Sequence, residues 1–178
     1  MSTVADHPLT PDGIRPEDPA HAAVWDAAAQ VADPEIPVLS IADLGILRAA
    51  AATESGGVVV ITPTYSGCPA METITTDVAA AVRAAGYENV RVDTVLTPSW
   101  TTDWMSEEGK RKLREYGITP PSGNAPVRGG PVSVGLSVKC PRCDSLQTKE
   151  LARFGSTACK ALYQCRSCLE PFDYFKVL

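Results

Sequence analysis

The 178-residue chain predicts an α+β fold, a small mixed sheet with helices packed on it, followed by a C-terminal four-cysteine zinc ribbon. Three observations carry this. Segments of helical and strand periodicity follow one another in the order helix, strand, strand, helix, strand, helix, which describes a compact layered domain. Next comes "ITPPSGNAPVRGGP", with four prolines and four glycines or serines, a linker composition. Beyond it stand two CxxC pairs. The expected division is a disordered lead-in over 1–19, an α+β domain over 20–118, a Pro/Gly linker over 119–131 and the ribbon over 132–178.

Taken in order, the first helix begins at Asp18-Pro19, a carboxylate cap followed by a proline at the first helical position. It runs through "AHAAVWDAAAQVA" and must stop before Pro34. Two prolines keep "DPEIPVLSIADLGIL" out of regular helix, and "ILRAAAA" reads as a strand. "TESGG" is a turn and "VVVIT" a largely buried central strand. The second helix runs from Pro69 to about Ala85, with Ile74, Val78, Ala81, Val82 and Ala85 on one face and Gly86 at its stop. "NVRVDTVL" alternates as a half-buried strand. The third helix has Ser106 as a candidate cap, Glu107 and Glu108 in its first turn, basic residues later and Gly117 at its end.

Composition narrows the function classes. The apolar fraction of 44% and charged fraction of 21% are those of a globular protein. No apolar run reaches membrane-spanning length, and the N-terminal "MSTVADHPLTPDGIRPEDPA" has no apolar signal core. A cytoplasmic location is expected, where paired cysteines imply metal rather than disulfides. Residues 1–118 carry 8 Lys/Arg against 17 Asp/Glu, net −9, whereas 119–178 carry 8 against 4, net +4. The larger unit therefore has no basic patch, which argues against nucleic acid as its partner. The two histidines, His7 and His21, are both near the N-terminus, so Glu-x-x-His pairs for a di-iron site and a Cys/His catalytic pair are not in evidence. There is no G-x-G-x-x-G after a strand and no P-loop.

"KCPRC" and "QCRSC" place Cys140, Cys143, Cys165 and Cys168 as two knuckles with 21 residues between them. Four thiolates converging on one ion make a closed tetrahedral site, structural in role, and a unit this small needs that ligation to fold. One zinc ion is expected. Rubredoxin-like iron is the alternative, since a tetrahedral S4 set suits both. Cys159 lies outside both knuckles, either as a small buried hydrophobe or as a surface thiol acting with Cys68.

Cys68 itself sits in "TPTYSGCPAM", directly after the central strand. Glycine permits the turn and Pro69 opens the second helix, so the thiol falls on a helix N-terminus where free N–H groups favour a thiolate. Burial and nearby Asp33 or Glu35 would oppose that effect.

"DPEIPVLSIADLGIL", "TPTYSGCPAM", "PSWTTDWMSEEGKRKLREYGITPP" and the two CxxC knuckles together resemble the PaaD family, from about residue 22 onward. The first two motifs resemble the wider family of small iron–sulfur assembly factors; the tryptophan-rich segment and the ribbon resemble the PaaD branch. The resemblance implies an accessory subunit of the phenylacetyl-CoA ring epoxidase system of aerobic phenylacetate breakdown. Its partners would be the oxygenase and reductase components, and its role maturation of iron–sulfur or di-iron centres, with a transient iron–sulfur cluster or iron as cargo. Carried over by residue, the reactive thiol falls on Cys68 and the acidic motif on Asp33, Glu35 and Asp43, with Thr64 and Ser66 completing a polar pocket. The plainer reading makes Asp33 a turn residue and Asp43 a cap, and gives Trp100 and Trp104 to packing. A permanent, non-catalytic structural subunit is the competing function, and a thiol enzyme acting on acyl thioesters is a third, disfavoured because no base stands near Cys68. A homodimer is left open.

Overall fold

The computed structural model describes residues 11–121 and 138–177. It divides into two compact units: the chain up to Trp100 together with Trp104–Ser106, and Thr101–Asp103 together with the chain from Glu107.

In the first unit α1 (Pro19–Ala29) starts where the sequence places it. The Asp18 carboxylate accepts from the amides of Ala20 and His21 at 2.9 and 3.1 Å, satisfying two donors the helix cannot. The lead-in expected to be disordered over 1–19 is ordered from residue 11. There the Gly13 amide donates to the Arg48 carbonyl at 2.8 Å, and Arg15 forms a two-pronged pair with Asp26 at 2.7 and 2.6 Å. Residues 1–10 lie outside the described residues.

Strands β1 (Leu47–Thr53) and β2 (Gly56–Ile61) form an antiparallel hairpin. Helix α2 (Ala70–Ala84) then crosses over to β3 (Asn89–Thr94), which pairs parallel with β2. The order is β1-β2-β3, a small mixed sheet. Val24 of α1 and Val82 of α2 approach β2 together: a Cβ at Gly57 would stand 3.4 and 3.0 Å from their methyl groups. Val24, Ile74, Val78, Val82, Val59 and Ile61 are fully buried around this meeting. Each such side chain contributes about 1.5–3 kcal/mol by leaving water. Val60, on the opposite face, joins Ala49 and Val95, so the central strand is apolar on both sides, as its continuous run predicts. β3 is more exposed than a half-buried strand: Val90 and Val92 remain partly open.

The proline-bearing stretch before β1 is irregular yet buried. Ile36, Leu39, Ile41, Leu44 and Ile46 are all at most 2% exposed. Its ends are tied by the Asp33 amide to the Leu39 carbonyl at 2.8 Å and the Ile41 amide to the Val31 carbonyl at 2.9 Å.

The second unit contains α3 (Glu107–Tyr116), which ends at Gly117, and the strands β4 (Ile118–Thr119), β5 (Thr148–Ala152), β6 (Lys160–Cys165) and β7 (Pro171–Phe175). The sheet order is β4-β7-β6-β5, with β4 parallel to β7 and the other pairs antiparallel. Helix α3 and β4 thus group with the ribbon strands, whereas the sequence division had ended the first domain at 118. The reason is the ladder: Ile118 and Thr119 register with Asp173 and Tyr174, and the Thr119 hydroxyl donates to the Lys139 carbonyl at 2.7 Å. Beyond Pro121 the expected linker lies outside the described residues.

Candidate functional site

Cys68 sits at the exit of β2. The Thr62 amide bonds the Ile46 carbonyl at 2.9 Å, and the chain then turns through Tyr65-Ser66-Gly67-Cys68, closed by the Cys68 amide on the Tyr65 carbonyl at 3.2 Å. Pro69 is the N-cap of α2 and offers no side-chain acceptor to the helix's free donors. The Ala70 amide at the helix start favours the charged form of the Cys68 sulfur. Thr64 is half-buried and Ser66 exposed on the same turn.

Cys68 is half-buried, and this decides its ionisation. Burial pushes the thiol above its ordinary value; the Ala70 amide pulls it back, Glu35 and Asp33 push it further up, and a hydrogen bond from Tyr65 opposes them. The helix end therefore does not prevail, because desolvation outweighs a single turn of amide dipoles. The resting group is a thiol whose nearest charges are two carboxylates.

Of the residues carried over by resemblance, Asp33 and Glu35 are near enough to act on Cys68. The Asp33 carboxylate also receives the amides of Glu35 and Ile36, each at 2.8 Å, closing the turn around Pro34. Asp43 is engaged elsewhere. It accepts from the Ser40 amide and hydroxyl at 3.1 and 3.0 Å and from the Ser106 hydroxyl at 3.2 Å, while its amide donates back to Ser40 at 3.0 Å. Asp43→Ala should cost about 1–3 kcal/mol by leaving these donors without an acceptor. The check is a denaturant titration alongside Cys68 alkylation, whose rate should not change; an altered rate at unchanged stability would return Asp43 to the thiol's surroundings.

Trp100 and Trp104 pack rather than line a pocket. The buried Trp100 indole donates to the Leu44 carbonyl at 2.9 Å. Trp104 lies beneath the Arg48 guanidinium, 3.5 Å from ring centroid to carbon, and its carbonyl would stand 2.5 Å from a Cβ at Gly45, whose φ is +70°. Sequence reasoning missed Arg48, a cation 5% exposed on β1, and the influence of Tyr65 on the Cys68 thiol. No spacing rule flags a lone arginine in a strand, and Tyr65 was legible only as one letter of a turn.

The ribbon cysteines do converge. Four sulfurs from Cys140, Cys143, Cys165 and Cys168 lie within 4.8 Å of one another, with Cys140 to Cys168 at 3.7 Å and Cys143 to Cys165 at 3.5 Å. A tetrahedral ion with bonds of about 2.3 Å needs sulfurs about 3.8 Å apart, so the set fits. The knuckles repeat one backbone scheme. The Cys140 amide donates to the Ser145 carbonyl at 2.9 Å and the Cys165 amide to the Glu170 carbonyl at 3.0 Å. The residue after each second cysteine, Asp144 and Leu169, has φ of 61° and 65°. The Cys168 and Ser167 amides donate to the Cys165 sulfur at 3.4 and 3.3 Å and, against burial, hold its thiol down to about 6. Cys159 is 6% exposed, with its sulfur 3.0 Å from the Thr157 hydroxyl.

Known proteins divide the chain in a parallel way. Residues 21–94 match the family model for an iron–sulfur cluster assembly protein, and residues 126–176 match that for the PaaD zinc β-ribbon domain. An Escherichia coli (strain K12) protein, provisionally named as one of the subunits of 1,2-phenylacetyl-CoA epoxidase, is 48% identical over 155 residues, covering 87% of this chain and 92% of its own. The chain belongs to the PaaD family. A Porphyromonas gingivalis Fe-S protein maturation auxiliary factor is 39% identical over 85 residues, 47% of this chain and 80% of its own. The crystal structure of a domain of unknown function from Bacillus anthracis is 27% identical with a TM-score of 0.49, covering 52% of this chain and 90% of that one. Within the PaaD family, then, Cys68 belongs to the assembly-type part of the chain and the four-cysteine cluster to the ribbon. Among the described residues no helix is long and apolar enough to cross a membrane.

Proposed function

We propose that the chain is a cytoplasmic accessory component of the phenylacetyl-CoA epoxidase system that acts, through Cys68, in maturing its iron–sulfur or di-iron centres. The observation that carries this is the placement of Cys68. It is a partly accessible sulfur at the start of α2, within the segment that matches the iron–sulfur assembly model, and Glu35 and Asp33 are the charges acting on it. Two carboxylates disfavour a free thiolate but favour a cation beside it, which suits transient handling of iron or a cluster better than attack on an acyl group. The name of the E. coli relative supports the epoxidase as the system served. The ribbon's four sulfurs would hold one zinc ion with no open position, fixing that fold and leaving the chemistry to Cys68.

The test is to produce the oxygenase and reductase components with and without this chain and measure their iron. Maturation predicts components loaded in its presence, poor in iron in its absence or with Cys68→Ser, and free of the chain after purification. Equal iron content with stoichiometric copurification would instead establish a permanent structural subunit.

A further inference from the structure

We propose that Arg48 is a binding site for a carboxylate, held closed by residues 11–13 of the chain itself. The role of Cys68 does not enter it. A buried arginine ordinarily has a carboxylate partner, because its charge cannot be shed and its donors must be met. Arg48 is 5% exposed and, among the described residues, forms no ion pair. The Trp104 ring covers one face of its guanidinium. Nη1 reaches the Gly45 carbonyl at 3.5 Å and Nη2 donates to the Pro11 carbonyl at 3.0 Å. Nε is shut off from water and has no partner. Burial works against the charge and Asp12 in its favour, but the Asp12 carboxylate is bonded instead to the Ile14 amide at 2.9 Å.

Nε and Nη2 share one edge of a guanidinium, spaced to meet both oxygens of a carboxylate. Arg15 shows that edge filled, with Nε and Nη2 donating to the two Asp26 oxygens at 2.7 and 2.6 Å. On Arg48 the same edge carries one neutral oxygen, that of Pro11, and Nε goes without. Trp104 and Gly45 already orient the group. The cover rests on the Pro11 bond and on the Gly13 amide, which donates to the Arg48 carbonyl at 2.8 Å. Gly13 fits there for want of a side chain: at φ +78° its Cβ would stand 2.5 Å from Nη1. A carboxylate would replace a neutral, single acceptor by a charged, two-pronged one, and so displace Pro11 from the edge.

The experiment modifies arginines with phenylglyoxal and follows Arg48 and the exposed Arg142 separately by mass spectrometry. It compares the full-length protein, Gly13→Ala, and a chain shortened to begin at Ile14, from which the cover is gone. Arg48 should react about tenfold faster in both variants than in the full-length protein, since only the uncovered fraction is open to reagent. In the variants, acetate replacing chloride at constant ionic strength should slow Arg48 saturably and leave Arg142 alone. A glutamate pentapeptide with an amidated terminus is run beside it. Protection by acetate assigns the site to a free acid, and protection by the peptide alone to a side chain of a partner protein. Equal Arg48 rates in the full-length and shortened chains overturn the proposal, as does a Gly13→Ala protein that reacts like the full-length one. Failure of both acetate and peptide to slow Arg48 more than Arg142 leaves Arg48 a structural anchor and also overturns it. Maturation by Cys68 is read separately, from iron content, and neither result decides the other.

Discussion

Cys140→Ser should empty the ribbon's metal site and unfold the second unit. Cys140 is fully buried, its sulfur completes the tetrahedron, and its backbone carries both knuckle bonds, from its amide to Ser145 and from the Asp144 amide to its carbonyl. What remains is a small cluster, Val138, Ala161, Cys165, Phe172 and Tyr174, with Tyr163 stacked against it. So little apolar surface does not hold a fold of this size. Ligation in comparable zinc peptides amounts to about 10–16 kcal/mol, far beyond any other single contribution here. Because β4 pairs with β7, helix α3 and β4 should be lost with the ribbon, while the first unit keeps its own core around Trp25 and Trp100. Elemental analysis should fall from about one metal ion per chain to near none, and amide exchange should become unprotected from α3 onward only. A variant that retains metal at full occupancy and melts like the wild type would show that the four sulfurs do not act as one site.

Gly56→Ala should disrupt the first unit almost as severely. Gly56 opens β2 with φ of +154°, and a Cβ there would stand 1.8 Å from the Asn89 carbonyl oxygen and 2.6 Å from its carbon. These are backbone atoms of β3, so no side chain can rotate aside. Either the parallel pairing of Gly56 with Asn89 opens or the β1–β2 turn reshapes. The expected loss exceeds about 4 kcal/mol, at the far end of what single substitutions do. Gly57→Ala is the control: its Cβ would meet a Val82 methyl at 3.0 Å, which can shift, so the loss should be about 1–3 kcal/mol. Urea denaturation of both variants checks this, and equal losses would show that the close approach at Asn89 is not what makes residue 56 special.

These two positions also show what the sequence disclosed. Cysteine spacing carries its own geometry, so the ribbon's ligands were legible without a structure. Helix starts and stops were legible for the same reason: Asp18-Pro19, Gly86 and Gly117 each act on the backbone next to them. "TESGG", by contrast, marks a turn without saying that one of its glycines touches a strand more than thirty residues away. Nor did periodicity say which sheet α3 serves. Its single leucine, Leu113, is fully buried, but the pairing of only two residues, Ile118 and Thr119, is too short to leave a pattern. Asp43 and Asp33 looked alike in the sequence. The difference between a carboxylate bolted to two serines and one acting on Cys68 is a matter of long-range placement.

The grouping of α3 and β4 with the ribbon strands also defines where this chain could be recombined. A proline- and glycine-rich tract invites a fusion joint at residues 119–131, yet a graft cut there would carry away β6 and β7 while leaving behind the strand that pairs with β7. The portable piece begins near Glu107. An engineer moving the metal ribbon onto another scaffold should take the preceding helix as part of the cassette, and one trimming the thiol-bearing half to its minimum should stop after Ser106, where Asp43 still holds the chain end.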